Sequence, residues 1–188
     1  MKNNTILRPG DIIFTQDKAL LGKLIRFCTR SIGESKTEVN HTAIAVRKGT
    51  LDKANIIEAL WEVKKHTIVA NYGMPTKVKV AIYRPINLLK KDIKKIVDYA
   101  EKQVGKKYGV GKIITSFLDW ICQGKYVFRR LTSSEEYPIC SFLVAHCYSQ
   151  AGKDFGVNPN AATPDDIWDF VNKNIDKYTK ILDLQTIE

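Results

Sequence analysis

Residues 138–152 read PICSFLVAHCYSQAG, an apolar run that follows a proline and ends at a glycine. Its apolar spacing predicts a buried helix that stops at Gly152. If the helix begins after Pro138, Cys140 lies in its first turn, where unpaired N–H groups and the positive end of the helix dipole favour thiolate over thiol. Cys147 lies two turns further on and is expected to pack in the core. Cys140 is therefore a candidate for chemistry.

Length and composition indicate a single globular domain over residues 1–188, with 44% hydrophobic and 27% charged residues. The N-terminal stretch MKNNTILRPGDIIF lacks the order of a signal peptide, and no apolar run reaches the length of a membrane span. We therefore expect a cytoplasmic protein whose four cysteines are free thiols. The absence of a CxxC pair argues against zinc, and no metal or organic cofactor is predicted.

The net charge of +10 comes from 30 Lys and Arg against 20 Asp and Glu. Such an excess could serve nucleic acid, anionic lipid or an acidic substrate. Eight lysines occur as four scattered pairs, and the basic residues alternate with apolar positions, which favours a solvated surface. No RNA-binding signature accompanies them. We expect no nucleic-acid partner, and nothing in the pattern indicates an oligomeric state.

Periodicity and turn residues predict a sheet in the middle of the chain and helices after it. The predicted strands cover residues 11–15, 41–46, 55–60 and 77–85, with a further strand at 65–70. The predicted helices cover residues 19–33, a segment from a cap at Asn87 to Gly105, 111–121, 140–152, and a segment that begins with Thr163 as cap and Pro164 at the first position.

A thiol nucleophile needs a base, and the chain contains three histidines. His146 is on the same predicted helix as Cys140 but off its facing side, so it cannot reach the thiol. His66 lies in the lysine-rich VKKHTIV, where an exposed position is favoured. His41 opens a predicted strand and can project from the sheet edge toward a helix start, although a lone strand histidine is more often structural. His41 is the best base candidate.

Glu58 is a carboxylate within the otherwise apolar strand IIEAL, and a buried carboxylate is costly unless it is paired. It could orient His41 and stabilise the charged imidazole. A half-exposed position on an edge strand is the alternative. Glu62 falls on the same face by alternation but lies at the strand end.

Five blocks in order, LRPGDIIFT, NHTAIAV, IIEAL, VGKKYGVG and PICSFLVAHCYSQAG, resemble the NlpC-like papain-fold cysteine peptidases. In the standard arrangement of that superfamily the cysteine block comes first, whereas here it follows the histidine block. The chain therefore looks like the circularly permuted branch, the YiiX-like hydrolases, over roughly residues 7–170. The resemblance implies an α+β, papain-like, circularly permuted fold, with a small antiparallel sheet or barrel packed against helices.

The resemblance also implies site roles: Cys140 as nucleophile, His41 as base and Glu58 as the orienting residue. Tyr108, in GKKYG, matches the family's tyrosine and would line the site beside the oxyanion. Two positions depart from the family pattern, because Ile139 replaces an acidic residue and Phe142 a glycine. Both would make the substrate groove narrower or more apolar.

These observations predict a cysteine hydrolase that cleaves an amide or ester bond of a small peptide, an amino-acid derivative or a lipid-like substrate. One alternative is a non-catalytic small-molecule or peptide-binding module on the same fold. Another is a membrane-associated lipid acyl hydrolase or acyltransferase, because residues 111–130 combine an apolar stripe with basic residues. The block ICSFL does not match the cysteine motif of the lecithin:retinol-acyltransferase-like relatives, so lipid chemistry and a membrane surface are not favoured.

Overall fold

The structure is a computed structural model that describes residues 5–17, 37–60, 62–107 and 140–187. Within these ranges the strands are β1 (Ile6–Leu7), β2 (Ile12–Gln16), β3 (His41–Ala45), β4 (Gly49–Thr50), β5 (Asn55–Ala59), β6 (Val63–Thr67), β7 (Lys79–Pro85) and β8 (Tyr178–Thr186). The helices are α1 (Ile68–Tyr72), α2 (Lys90–Gln103), α3 (Cys140–Ser149) and α4 (Pro164–Lys173). The helices predicted at 19–33 and 111–121 lie outside the described residues.

Six of the described strands form one antiparallel sheet in the order β6-β5-β3-β2-β7-β8, and β1 pairs with β4 separately. The six-stranded sheet is open, with β6 and β8 at its ends. The prediction of an α+β fold is therefore confirmed. Of the two predicted alternatives, a small antiparallel sheet or a barrel, the structure has the sheet. The strand β8 was not predicted, because helices were expected throughout this part of the chain.

Apolar side chains alternate between the two faces of the sheet and build a core on each. One face packs against α3 and α4 and contains Ile12, Phe14, Ile44, Ile57, Leu143 and Ile167. The other face packs against α1 and contains Ile13, Ala43, Ala45, Ile56, Ile68 and Tyr72. The sheet thus separates the cysteine helix from α1.

The turn before β2 holds the cysteine helix in place. Asp11 is buried and accepts hydrogen bonds from Arg84 Nε at 2.8 Å and from the Arg8 backbone N–H at 2.8 Å. Gly10 adopts φ of 91°, and its carbonyl accepts a hydrogen bond of 2.6 Å from the Tyr148 hydroxyl on α3. The PGD turn therefore fixes α3 relative to the sheet.

Residues 65–70 were predicted as a strand, but the strand ends at Thr67 and α1 follows. The β-branched residues favour a strand locally. However, the Thr67 hydroxyl accepts a hydrogen bond of 3.4 Å from the Ala70 N–H and begins the helix. The prediction of a strand through residue 70 was wrong for this reason.

The predicted start of α2 was also wrong. The helix begins at Lys90 and not after Asn87. The Asp92 carboxylate accepts a hydrogen bond of 3.2 Å from the Leu89 N–H, which gives this backbone group a partner at the start of the helix. In α4 the predicted cap is confirmed, since the Thr163 hydroxyl accepts the Asp166 N–H at 3.1 Å. Within the described residues, no helix is long and apolar enough to cross a membrane.

Candidate active site

The pairing of β3 with β5 brings His41 and Glu58 to one face of the sheet. Ile44 lies opposite Ile57 and Ala45 opposite Ile56, so continuing this register makes His41 and Glu58 diagonal neighbours. Long side chains in such positions can meet, and Nε2 of His41 lies 2.5 Å from Oε2 of Glu58. The Glu58 side chain is fully buried, whereas 12% of the His41 side chain is exposed.

Cys140 is the first residue of α3, and its side chain is buried beside the start of β3. The His41 side chain and the backbone N–H groups of Thr42 and Ser141 lie close enough to the sulfur to stabilise its charged form. Because Nε2 of His41 contacts Glu58, Nδ1 is the ring nitrogen left for the sulfur. The structure therefore brings Cys140, His41 and Glu58 together in one chain of contacts.

The Thr42 N–H can face the sulfur because β3 and β5 separate at this end of the sheet. The N–H of Ala45 points toward β2, where it donates to the Asp11 carbonyl at 2.9 Å. By alternation the N–H groups of Ile44 and Thr42 point toward β5. Pairing between β3 and β5 covers only residues 44 and 45, so the Thr42 N–H is left for the cysteine.

The electrostatic interactions of Cys140 and His41 favour an ionised thiol and a protonated imidazole. Burial by itself raises the pKa of Cys140, but the His41 charge and the hydrogen bonds to the sulfur outweigh it and lower the pKa below 9.0. Burial by itself lowers the pKa of His41, but the negative charges of Cys140 and Glu58 raise it from 6.5 to about 10. Between these two pKa values the favoured state is a thiolate–imidazolium pair.

Glu58 is held by four donors, two on each carboxylate oxygen. Oε2 accepts hydrogen bonds from Nε2 of His41 and from the hydroxyl of Tyr72. Oε1 lies 2.5 Å from Nε2 of His66 and 3.1 Å from Nδ2 of Asn71. Burial raises the pKa of Glu58, but the His41 charge and these donors lower it well below 4.5. The carboxylate is therefore charged although it is buried.

Three of these residues, His66, Asn71 and Tyr72, were not predicted to belong to the site. His66 was expected at an exposed position, but only 15% of its side chain is exposed. The register places His66 opposite Ile56, on the face of Glu58. Only the pairing of β5 with β6 could have identified this contact, since the lysines around His66 indicate a surface strand.

The other predicted site residues have different outcomes. Tyr108 and Ile139 lie outside the described residues. Phe142 is 7% exposed in the first turn of α3, and its contact with a substrate stays a prediction. His146 bonds to Oδ1 of Asn160 at 2.9 Å. Cys147 is fully buried, and burial raises the pKa of its thiol, so its predicted packing is confirmed.

The fold and the order of its parts define a class of proteins. An antiparallel sheet packed against a helix that begins with a buried cysteine, with the histidine strand earlier in the chain, is a circularly permuted papain-like arrangement. The chain belongs to the YaeF/YiiX family of permuted papain-like amidase enzymes, the C92 family, whose model matches residues 6–166.

A solved structure supports the same fold. The crystal structure described as metalloprotein yiiX from Escherichia coli O157:H7 aligns with a TM-score of 0.57 and 20% sequence identity. The alignment covers 93% of this chain and 88% of that chain. No curated protein sequence matches this chain.

Proposed function

We propose that the protein is a cysteine hydrolase that cleaves an amide or ester bond through an acyl-enzyme, with Cys140 as nucleophile, His41 as acid and base, and Glu58 as the residue that orients His41. The observation that supports this most is the chain of contacts from the Cys140 sulfur through His41 to the buried Glu58 carboxylate. Membership of an amidase family agrees with this chemistry.

In the first half of the reaction the Cys140 thiolate attacks the carbonyl carbon, and the carbonyl oxygen becomes an oxyanion. The oxyanion collapses, the bond to the leaving group breaks, and His41 gives its Nδ1 proton to the departing amine or alcohol. In the second half His41 takes a proton from water, and the resulting hydroxide attacks the thioester carbon. The bond to sulfur then breaks and the acid product leaves, which restores the Cys140 thiolate and the His41 imidazolium. Glu58 keeps Nε2 of His41 protonated throughout.

The oxyanion would be held by backbone N–H groups in the first turn of α3, including that of Cys140, because the first four N–H groups of a helix have no partner within it. We propose that Tyr108 adds its hydroxyl to this site. We also propose that Ile139 and Phe142 border the acyl group and restrict the substrate groove.

The proposed substrates are small peptides or amino-acid amides, with esters as a second group. Lipid-like substrates remain the less favoured class, because the cysteine block departs from the lipid-active relatives. The proposal contains no metal step. The relative of known structure is described as a metalloprotein, but the described part of this chain contains no group of three His, Cys, Asp or Glu side chains suited to a metal.

The test uses p-nitrophenyl acetate and a panel of aminoacyl fluorogenic amides, with intact-mass and peptide mass spectrometry to locate any acyl group. We expect acetylation of Cys140 and turnover of at least one panel member by wild type. Cys140→Ala should lose both while keeping its melting temperature, and Cys147→Ala serves as the matched control with activity retained. Hydrolysis by Cys140→Ala at the wild-type rate would refute the mechanism. A stable complex with a panel member, without turnover or acylation, would instead indicate a binding module.

A further inference from the structure

The Glu58 carboxylate binds two imidazoles, one from each neighbouring strand. On β3, His41 contacts Oε2 at 2.5 Å, and on β6, His66 contacts Oε1 at 2.5 Å. Both contacts use Nε2, and both histidines lie diagonally from Glu58 on the same face of the sheet. The mechanism above uses only His41, so the second imidazole has no assigned role.

The hydrogen bonds of His66 define its protonation. Its Nδ1 lies 2.9 Å from the Thr67 carbonyl oxygen, which can only accept, so Nδ1 carries a proton. Its Nε2 lies 2.5 Å from Oε1 of the ionised Glu58 carboxylate and 3.2 Å from Nδ2 of Asn71. Burial lowers the pKa of His66, but the bonds to Glu58 and to Thr67 outweigh it and raise the pKa above 6.5. Contact with Glu58 therefore favours the protonated form of His66.

The charged and titratable groups that face His66 come from three other elements. They are Glu58 on β5, His41 on β3 and Tyr72 on α1, and on its own strand Lys64 shares its face. Asn71 of α1 is neutral, and its Nδ2 reaches the same oxygen as His66. Glu58 thus lies between two imidazoles, and a positive charge on His41 opposes a positive charge on His66.

We propose that His66 is a positioning residue of the active site: it holds the Glu58 carboxylate with Oε2 toward His41, and its charge limits how strongly Glu58 stabilises the His41 imidazolium. This role rests on the proposed function. It makes the basicity of His41 depend on a residue two strands away, which acts through Glu58.

The test separates the two parts of this role with two substitutions. His66→Gln keeps an N–H donor near the position of Nε2 but removes the charge, whereas His66→Ala removes both. His146→Gln is the matched control, because His146 bonds to Asn160 and lies outside the site. The chain has three histidines, so the imidazole signals of each variant can be followed by two-dimensional ¹H–¹⁵N NMR as pH changes.

In His66→Gln the His41 pKa should rise by about one unit, because a neighbouring positive charge is gone. In His66→Ala the alkylation of Cys140 by iodoacetamide at pH 7 should slow by about tenfold relative to His66→Gln, because Glu58 is no longer held. His146→Gln should change neither property. If His66→Ala fails to fold, the titration of His66→Gln still decides the charge effect.

Two outcomes separate failure of this role from failure of the proposed function. If Cys140 of the wild type has a lowered pKa but the His41 titration is unchanged in His66→Gln, only the role of His66 is overturned. A wild-type Cys140 that titrates as an ordinary thiol would overturn the proposed function and the role of His66 with it. A shifted His41 titration in His66→Gln, with the control unchanged, supports the proposal.

Discussion

Nε2 of His41 lies 2.5 Å from Oε2 of Glu58, and this contact joins the histidine beside Cys140 to a fully buried carboxylate on the next strand. A buried carboxylate stays ionised only when its partners supply enough hydrogen bonds and positive charge. The state of Glu58 therefore controls both the tautomer of His41 and its basicity.

Replacing Glu58 with Gln should slow turnover by about two orders of magnitude or more, because the amide cannot stabilise the imidazolium or fix its tautomer as a carboxylate does. The measurement is kcat on the best panel substrate. Glu62→Gln is the matched control, since Glu62 lies four positions away with a 51% exposed side chain. Near-wild-type turnover by Glu58→Gln would remove the orienting role and leave the Cys140–His41 pair intact.

The reaction of Cys140 with iodoacetamide should depend only weakly on pH over the range where an ordinary thiol loses its reactivity. The lowered pKa of Cys140 keeps the thiolate populated below pH 9.0, and the raised pKa of His41 keeps its partner protonated up to about pH 10. Glutathione, measured in parallel, should slow by about tenfold per pH unit below its own pKa. A parallel fall in the rate for Cys140 would contradict the ion pair.

The ionised Glu58 carboxylate should contribute to the free energy of unfolding, and this contribution should fall in acid. Because the pKa of Glu58 is lower in the folded state than its ordinary 4.5, its contribution is complete above about pH 4.5 and is lost as pH falls further. The difference in melting temperature between wild type and Glu58→Gln should therefore shrink between pH 5 and pH 2. A difference that stays constant over this range would show that Glu58 has the same pKa in both states.

Replacing Thr163 with Ala should lower the free energy of unfolding by about 1 kcal/mol, because the Asp166 N–H loses its cap. The substitution lies in the start of α4 and removes no contact of Cys140, His41 or Glu58. Alkylation of Cys140 should therefore keep its wild-type rate, which distinguishes a general loss of stability from a change in the site. Urea unfolding and the alkylation assay together check both parts.

Local sequence signals were sufficient to single out the three residues that the structure brings together. A cysteine after a proline at a helix start, a histidine that opens a strand, and a carboxylate inside an apolar strand each stand out without a partner. Their meeting in the structure agrees with the contacts expected of Cys140, His41 and Glu58.

Features that depend on pairing between strands distant in the sequence were not predicted. The lysines around His66 indicate an exposed position, and only the alignment of β6 with β5 places His66 next to Glu58. The residues of β8 alternate only weakly, and their place beside β7 comes from packing between distant segments. The strand predicted through residue 70 failed because one hydroxyl, that of Thr67, outweighs the strand preference of the residues after it.

Cys140 and His41 are separated by about a hundred residues of chain, yet the thiol acquires its lowered pKa only when α3 docks at the start of β3. Bringing such distant segments together costs loop-closure entropy before the contact between them forms. Until they form, the thiol behaves as a free cysteine in water. Labelling of Cys140 at mildly acidic pH therefore offers a way to time refolding, because the gain of reactivity marks the docking of α3 at the start of β3.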